Sequence, residues 1–287
     1  MYHYVHNPDQ YKVEFKSLKT SHFEKQIKYL KKHYEIIDPD DFFSLIDSKK
    51  PHKNYVLLTF DDGYKDHIRN VEPILHNHNI KAIFFIATST LDNRSLLDVN
   101  KIQILLENFN DDKKLLNIIK TVISSPSDTD IKYKNPNSFD NEVRLEIKNL
   151  LQWKIKKNVR VKLLNSLYDT YCRNLIDINN FYMNYNDLKY LSIKGHHIGL
   201  HTHNHHNLRK LNSLDQKKEI IKSHNILKKK KLLNSQVSIC YPYGQYNMDT
   251  ISILKNIGIK FGFKIGNKNY TRKYNNHEIP RIDTKLI

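Results

Sequence analysis

Only two cysteines, Cys172 and Cys240, occur in 287 residues. That excludes the disulfide framework that staples small secreted folds. No apolar run approaches the roughly 20 residues of a membrane-spanning helix. The opening Met-Tyr-His-Tyr-Val-His-Asn-Pro lacks the basic-then-apolar layout of a secretory leader. Together these absences lead to the expectation of a cytoplasmic protein, at most peripheral to a membrane. No repeat of solenoid scale is present. Arginine is scarce as well: a net charge of +17 is carried by 39 lysines and only 8 arginines. Sequence-reading nucleic-acid proteins depend on arginine for bidentate base contacts. The lysines here are spread over many helix-like stretches, with one tight run at Lys228–Lys231. The excess therefore reads as compositional bias. No specific nucleic-acid partner is expected, and a weak attraction to anionic lipid or phosphorylated sugar carriers is the most that the charge implies.

What is present begins with Leu57 to Tyr64, Leu-Leu-Thr-Phe-Asp-Asp-Gly-Tyr. The apolar run Tyr55–Phe60 reads as a buried strand. Gly63 then permits a sharp turn. Asp61 and Asp62 would sit at the carboxyl end of that strand, where α/β folds place their active sites. Adjacent residues on an extended end point different ways, so one carboxylate could bind a metal while its neighbour handles a proton. Taken alone, Asp-Asp-Gly is also ordinary turn chemistry. A second stretch, Ile198-Gly-Leu-His-Thr-His-Asn-His-His206, again ends an apolar segment in polar residues. His201 and His205 lie four apart, and imidazole with carboxylate suits zinc or a similar divalent ion.

The two stretches, in this order, resemble the first two motifs of the polysaccharide deacetylases (the NodB-homology family, carbohydrate esterase family four). Cys240-Tyr241-Pro242-Tyr243-Gly244 resembles the third. Tyr2-His3-Tyr4-Val5 is similar to the opening of a branch with rearranged motif order. The resemblance implies a deformed (β/α)7-type barrel and a carbohydrate N-deacetylase. It implies Asp62, His201 and His205 as ligands of a divalent metal: zinc by default, with Co2+ or Ni2+ as alternatives. It implies Asp61 as general base, His3 as general acid, and Pro242 with the backbone N–H of Tyr243 at the oxyanion and substrate. His277, near Arg281, is the alternative acid. Many members open the third motif with an arginine that orients the catalytic Asp. Here Cys240 stands there. Arg281 either supplies that charge or makes a surface salt bridge. Cys240 reads as a small buried residue. The partner implied is an N-acetylated sugar or glycan, met during synthesis of a surface polysaccharide or its precursor. Alternatives are a deformylase or other de-N-acylase of a lipid- or nucleotide-linked sugar, and a non-catalytic carbohydrate-binding relative.

Length and composition suit one catalytic domain, residues 1–287, with a helical insertion at about 92–180. Ser21–His33 should be a helix with a Ser21/Glu24 capping box and a core stripe of Phe23, Ile27, Leu30 and Tyr34. Lys65–His76 should be helical, kinked near Pro73, and Lys81–Ala87 a strand. Leucine and isoleucine recur at helical spacing through Leu96–Leu116 and Glu142–Tyr171, around a polar loop, Ser124–Phe139. Trp153 reads as a buried anchor rather than a sugar platform. Helices at Asn186–Ser192, Ser213–Lys230 (capping box Ser213/Gln216) and Met248–Asn256 alternate with strands at Gln236–Tyr241, Lys260–Ile265 and a terminal edge at Ile279–Ile282. His196, His197, His203 and His206 read as structural or solvated.

Overall fold

A computed structural model describes residues 1–13, 16–48, 54–92, 95–123, 141–266 and 275–284. The polar loop expected at Ser124–Phe139 lies outside them. The chain forms two compact units, one of Met1–Pro8, Lys16–Ser95 and Ile178–Ile287, the other of Asp9–Phe15 and Leu96–Asp177.

The first unit is built on a parallel sheet of six strands: β3 (Thr59–Phe60), β4 (Ile83–Ile86), β5 (His197–Leu200), β6 (Ser238–Cys240), β7 (Phe261–Ile265) and β8 (Ile279–Arg281), in that spatial order. Two short strands, β1 (Glu35–Ile36) and β2 (Tyr55–Val56), pair separately. The apolar run Tyr55–Phe60 is therefore two strands, because its ends bond different neighbours: Tyr55 faces Glu35, whereas Thr59 faces Ile83. The N-terminal segment spans the gap between the sheet's ends. Tyr2 donates to Thr59 O (2.9 Å) and accepts from Asp61 N (3.0 Å) beside β3. Met1 N donates to Ile282 O (2.7 Å) just past β8. The segment lies as a seventh stave along β3 and is tied at its end to the residue after β8, which leaves His3 beside the tip of β3.

Alternation along the strands sorts side chains into two layers. Ile83 and Phe85 of β4 join Cys240, Phe261, Phe263 and Ile279 in one cluster, which Phe42 and Phe43 of α2 (Pro39–Asp47) help to fill. Phe84 and Ile86 face a larger cluster with the helices. These include α1 (Thr20–His33), α10 (Tyr185–Ile193), α11 (Ser213–Lys229) and α12 (Met248–Asn256). A Cβ on Gly199 would lie 2.4 Å from the Phe85 ring. Gly199→Ala is thus expected to cost about 1–3 kcal/mol of stability by overpacking, measured by denaturant unfolding.

Several expected details are corrected. The N-cap of α1 is Lys19, without a side-chain cap bond, so the Ser21/Glu24 box is absent. Tyr34, beyond the helix, is exposed while Phe23, Ile27 and Leu30 are buried. Asn212 caps α11 by accepting from Asp215 N. Gln216 instead bonds Leu211 O and Asn247 Oδ1. The turn around Pro73 is accommodated by a π-helical stretch, His67–Val71, leading into α3 (Glu72–Asn77).

In the second unit, α5 (Asp98–Asn108), α6 (Asp112–Val122), α7 (Glu142–Asn149) and α8 (Lys157–Tyr171) bury leucines and isoleucines at the spacing seen in the sequence. Arg144 of α7 ties it to α5 and α6 by reaching Asp112, Glu107 and Leu106 O. Trp153 is buried. Among the described residues, no helix is long and apolar enough to cross a membrane.

Candidate active site

Parallel strands all end on one side, so the tips of β3, β5, β6 and β8 bring the polar residues together. Asp61 and Asp62 follow β3 and diverge. Asp61 turns to Arg281 on β8, which grips it with two bonds, Nη1 to Oδ1 (2.8 Å) and Nη2 to Oδ2 (2.6 Å). Arg281 also donates to Thr59 Oγ1 (3.1 Å) and meets Cys240 Sγ at 2.6 Å. All four residues are buried. The arrangement is not a surface salt bridge. The short side chain at position 240 leaves room for a guanidinium arriving from the neighbouring part of the sheet. Burial alone would raise the pKa of Asp61, but the charge and hydrogen bonds of Arg281 outweigh it and hold the carboxyl well below its usual range. Burial and Asp61 push the Cys240 thiol up, against the pull of Arg281, so it is a neutral packing group and not a nucleophile.

Asp62 turns the other way. Its Oδ2 accepts from the Tyr64 hydroxyl (2.7 Å). Its Oδ1 lies 3.3 Å from Nε2 of both His201 and His205. That oxygen is buried and has no hydrogen-bond partner among the described residues. His201 Nδ1–H donates to Cys240 O (2.8 Å), which aims Nε2 at the carboxylate. Against its burial, Cys240 and Asp62 hold the pKa of this imidazole well above its ordinary value, so a metal would displace the Nε2 proton on binding. Burial drives the pKa of His205 down to about 3 despite Asp62, so this imidazole is neutral, the form that ligates metal. A bare carboxylate oxygen and two imidazole nitrogens converging in a buried space fit a divalent cation. These three form a group whose ligand atoms all lie within 4.8 Å of one another. Asp61, His201 and Cys240 also cluster at that distance, but Arg281 already occupies both Asp61 oxygens.

The backbone here is unusual. Asp62, Thr202, His205 and Tyr243 have φ of 72, 60, 57 and 59°. Non-glycine residues, and a β-branched Thr above all, seldom adopt such angles, at a cost on the order of 1–3 kcal/mol each. Tyr243 lies in the single turn Pro242–Gly244 after β6, its ring 4.9 Å from that of His205.

His3 stands at the mouth of the site, half-exposed, with Nε2 3.8 Å from Asp61 Oδ2. Its carbonyl accepts from Nε2 of the buried His67 (2.8 Å), and Asn70 donates to Val5 O (2.7 Å). The π-helical turn thus holds the N-terminal stave. His277 is buried elsewhere, donating to Ile259 O (2.8 Å), and is removed as the alternative acid. His196 accepts from Ala82 N (3.1 Å), while Nδ1 of His203 and His206 meets Thr88 Oγ1 and Glu219 Oε1, both at 3.0 Å. Three contributors escaped sequence reasoning: Tyr64, His67 and Glu219. Tyr64 and His67 lie within four residues of Asp61-Asp62-Gly63, so proximity was a usable signal. Glu219 had none.

A family model described as polysaccharide deacetylase matches residues 48–115 and 173–262, more than half of the chain. The chain is 40% identical over 89 residues to the poly-beta-1,6-N-acetyl-D-glucosamine N-deacetylase of Staphylococcus aureus strain MRSA252. That stretch covers 29% of this chain and 31% of the relative, so the match spans about a third of the relative's length. The fold is similar to that of the Streptococcus pyogenes deacetylase PplD in complex with acetate, with a TM-score of 0.61 at 17% identity over 98% of this chain and 89% of the other. It is also similar to IcaB from Ammonifex degensii, with a TM-score of 0.60 at 16% identity over 98% and 88%. By the extent of the model match, joined to three sequence motifs that the fold gathers at one end of its sheet, the chain belongs to the polysaccharide deacetylase family.

Proposed function

We propose that the protein is a metal-dependent hydrolase that removes N-acetyl groups from an amino sugar in a surface polysaccharide or its precursor. The observation that carries this reading is the orphaned Asp62 Oδ1 facing His201 and His205, one residue from a carboxylate that Arg281 keeps ionised. The curated relative that matches over 89 residues acts, by its name, on a poly-β-1,6-linked N-acetylglucosamine, and we take that polymer as the first substrate to test. A divalent ion held by Asp62, His201 and His205, zinc by default, would polarise the amide carbonyl and acidify an attacking water. Asp61 takes the proton from that water. Arg281 keeps Asp61 charged and fixed in direction. The backbone N–H of Tyr243 faces the developing oxyanion in the family's pattern. His3, at the mouth, hands a proton to the departing amine, which is a poor leaving group until protonated. The products are acetate and a free amino sugar.

Acetate release is to be measured on N-acetylglucosamine oligomers and nucleotide-linked N-acetyl sugars, and formate release on N-formyl analogues, with and without added Zn2+. Turnover of the oligomers supports the reading. Turnover of the formyl or nucleotide-linked compounds alone would replace the substrate, and no turnover of any would favour a non-catalytic sugar-binding role. His3→Ala is expected to retain the metal and to lower amide turnover on the order of 10²-fold. An activated ester, whose leaving group needs no proton, should suffer much less. Equal losses on amide and ester would remove His3 from the mechanism.

A further inference from the structure

Two of the three candidate ligands sit where main-chain bonding pins them. Asp62 follows Asp61, whose N–H donates to Tyr2 O. His201 N donates to Ile86 O at the tip of β5. The pairing with the β4 side continues through Thr88 N to Thr202 O and Ser89 N to His203 O. Past His203 that ladder stops, and His205 lies beyond it with left-handed backbone.

A single carboxylate grips the residues on both sides of His205. Glu219 Oε2 accepts from His203 N (3.2 Å) and Asn204 N (2.8 Å). Oε1 accepts from Asn204 Nδ2 (2.7 Å) and pairs with His206 Nδ1 (3.0 Å). Glu219 projects from α11, a 17-residue helix anchored by Ile220 and Leu227 in the core. Gln216, one turn earlier, links that helix to Asn247 and Thr250 of α12. The carboxylate therefore rides on a rigid element. Burial would raise its pKa, but the His206 hydrogen bond and charge, with the Asn204 donors, outweigh that and lower it to about 2, so it is ionised at neutral pH.

We propose that Glu219 is a positioning residue for His205. By holding residues 203, 204 and 206, it keeps that imidazole aimed at Asp62 Oδ1 and so sets the protein's affinity for its divalent ion. The proposal rests on the reading of His205 as a ligand. Outer partners that orient a metal ligand typically contribute 10–100-fold in affinity.

The test is a Zn2+ titration of full-length wild type, Glu219→Gln and His205→Ala against a chromogenic chelator. The visible spectra of the Co2+-loaded forms and the circular dichroism of the metal-free forms are read alongside. Glutamine matches glutamate in size but turns a donor toward Asn204 or His206. Glu219→Gln is expected to bind Zn2+ about 10–100-fold more weakly, with an altered Co2+ spectrum and an unchanged metal-free dichroism spectrum. Zn2+ affinity and Co2+ bands equal to wild type would overturn the proposal, even if thermal stability falls. Should Glu219→Gln not fold, Asn204→Ala/His206→Ala removes both side-chain partners of Oε1 while keeping the carboxylate. Several-fold weaker Zn2+ binding supports the proposal, and unchanged binding overturns it. Zn2+ binding that survives His205→Ala, or its absence from wild type, would instead overturn the ligand reading and the role of Glu219 with it.

Discussion

Asp62→Ala is expected to abolish divalent-ion binding and the proposed deacetylase activity together. Asp62 is the one anionic member of the candidate ligand set, and its free oxygen is what the two imidazoles converge on. Losing several kcal/mol of electrophilic stabilisation at the carbonyl corresponds to a fall on the order of 10³-fold or more. Metal analysis of the purified variant beside acetate release checks both halves. A full complement of metal retained in the Asp62→Ala/His201→Ala double variant would remove the assignment. Tyr64→Phe is the informative control. It deletes the hydroxyl that holds Asp62 Oδ2 and leaves the ligand in place, so metal binding should weaken without being lost.

Asp61→Asn should do the opposite, keeping the metal while turnover falls on the order of 10²–10⁴-fold. The amide is close in shape to the carboxylate but cannot accept the proton of the attacking water. Its effect on stability is distinct from its effect on chemistry. Arg281 is buried against Asp61, and neutralising one partner of a buried pair leaves the other charge uncompensated, at a cost of about 3–5 kcal/mol. Turnover must therefore be normalised to the folded, metal-loaded fraction. Wild-type turnover in Asp61→Asn would show that the two carboxylates have been given the wrong roles.

Local chemistry made much of this protein legible in its sequence. Apolar strand endings followed by Asp-Asp-Gly and by His-Thr-His-Asn-His mark the tips of β3 and β5, because a strand's carboxyl end must turn within a few residues. Met248–Asn256 and the helical spacing through Leu96–Leu116 followed from periodicity alone. Helix starts were read less well. Lys19 and Asn212, not Ser21 and Ser213, precede α1 and α11, since several neighbouring polar residues can cap and packing chooses among them.

Other features belong to the tertiary structure. Nothing near Cys240 shows what takes the place of the family's arginine. Arg281 reaches Asp61 across 220 residues only because β8 completes the sheet beside β7 and the N-terminal stave closes it toward β3. By local pattern His3 is a dispensable terminal residue, and that same closure carries it to the mouth of the site. The unfavourable backbone angles at Asp62, Thr202, His205 and Tyr243 cannot be read from side chains that normally avoid them. They are sustained by what surrounds them, including a glutamate on a helix that the chain reaches only after leaving the site. Which groups can do the chemistry follows from residue identity, because ligand and acid–base capacity are properties of single side chains. Their directions and charge states come from the fold, because these depend on partners that the sheet brings together from distant parts of the chain.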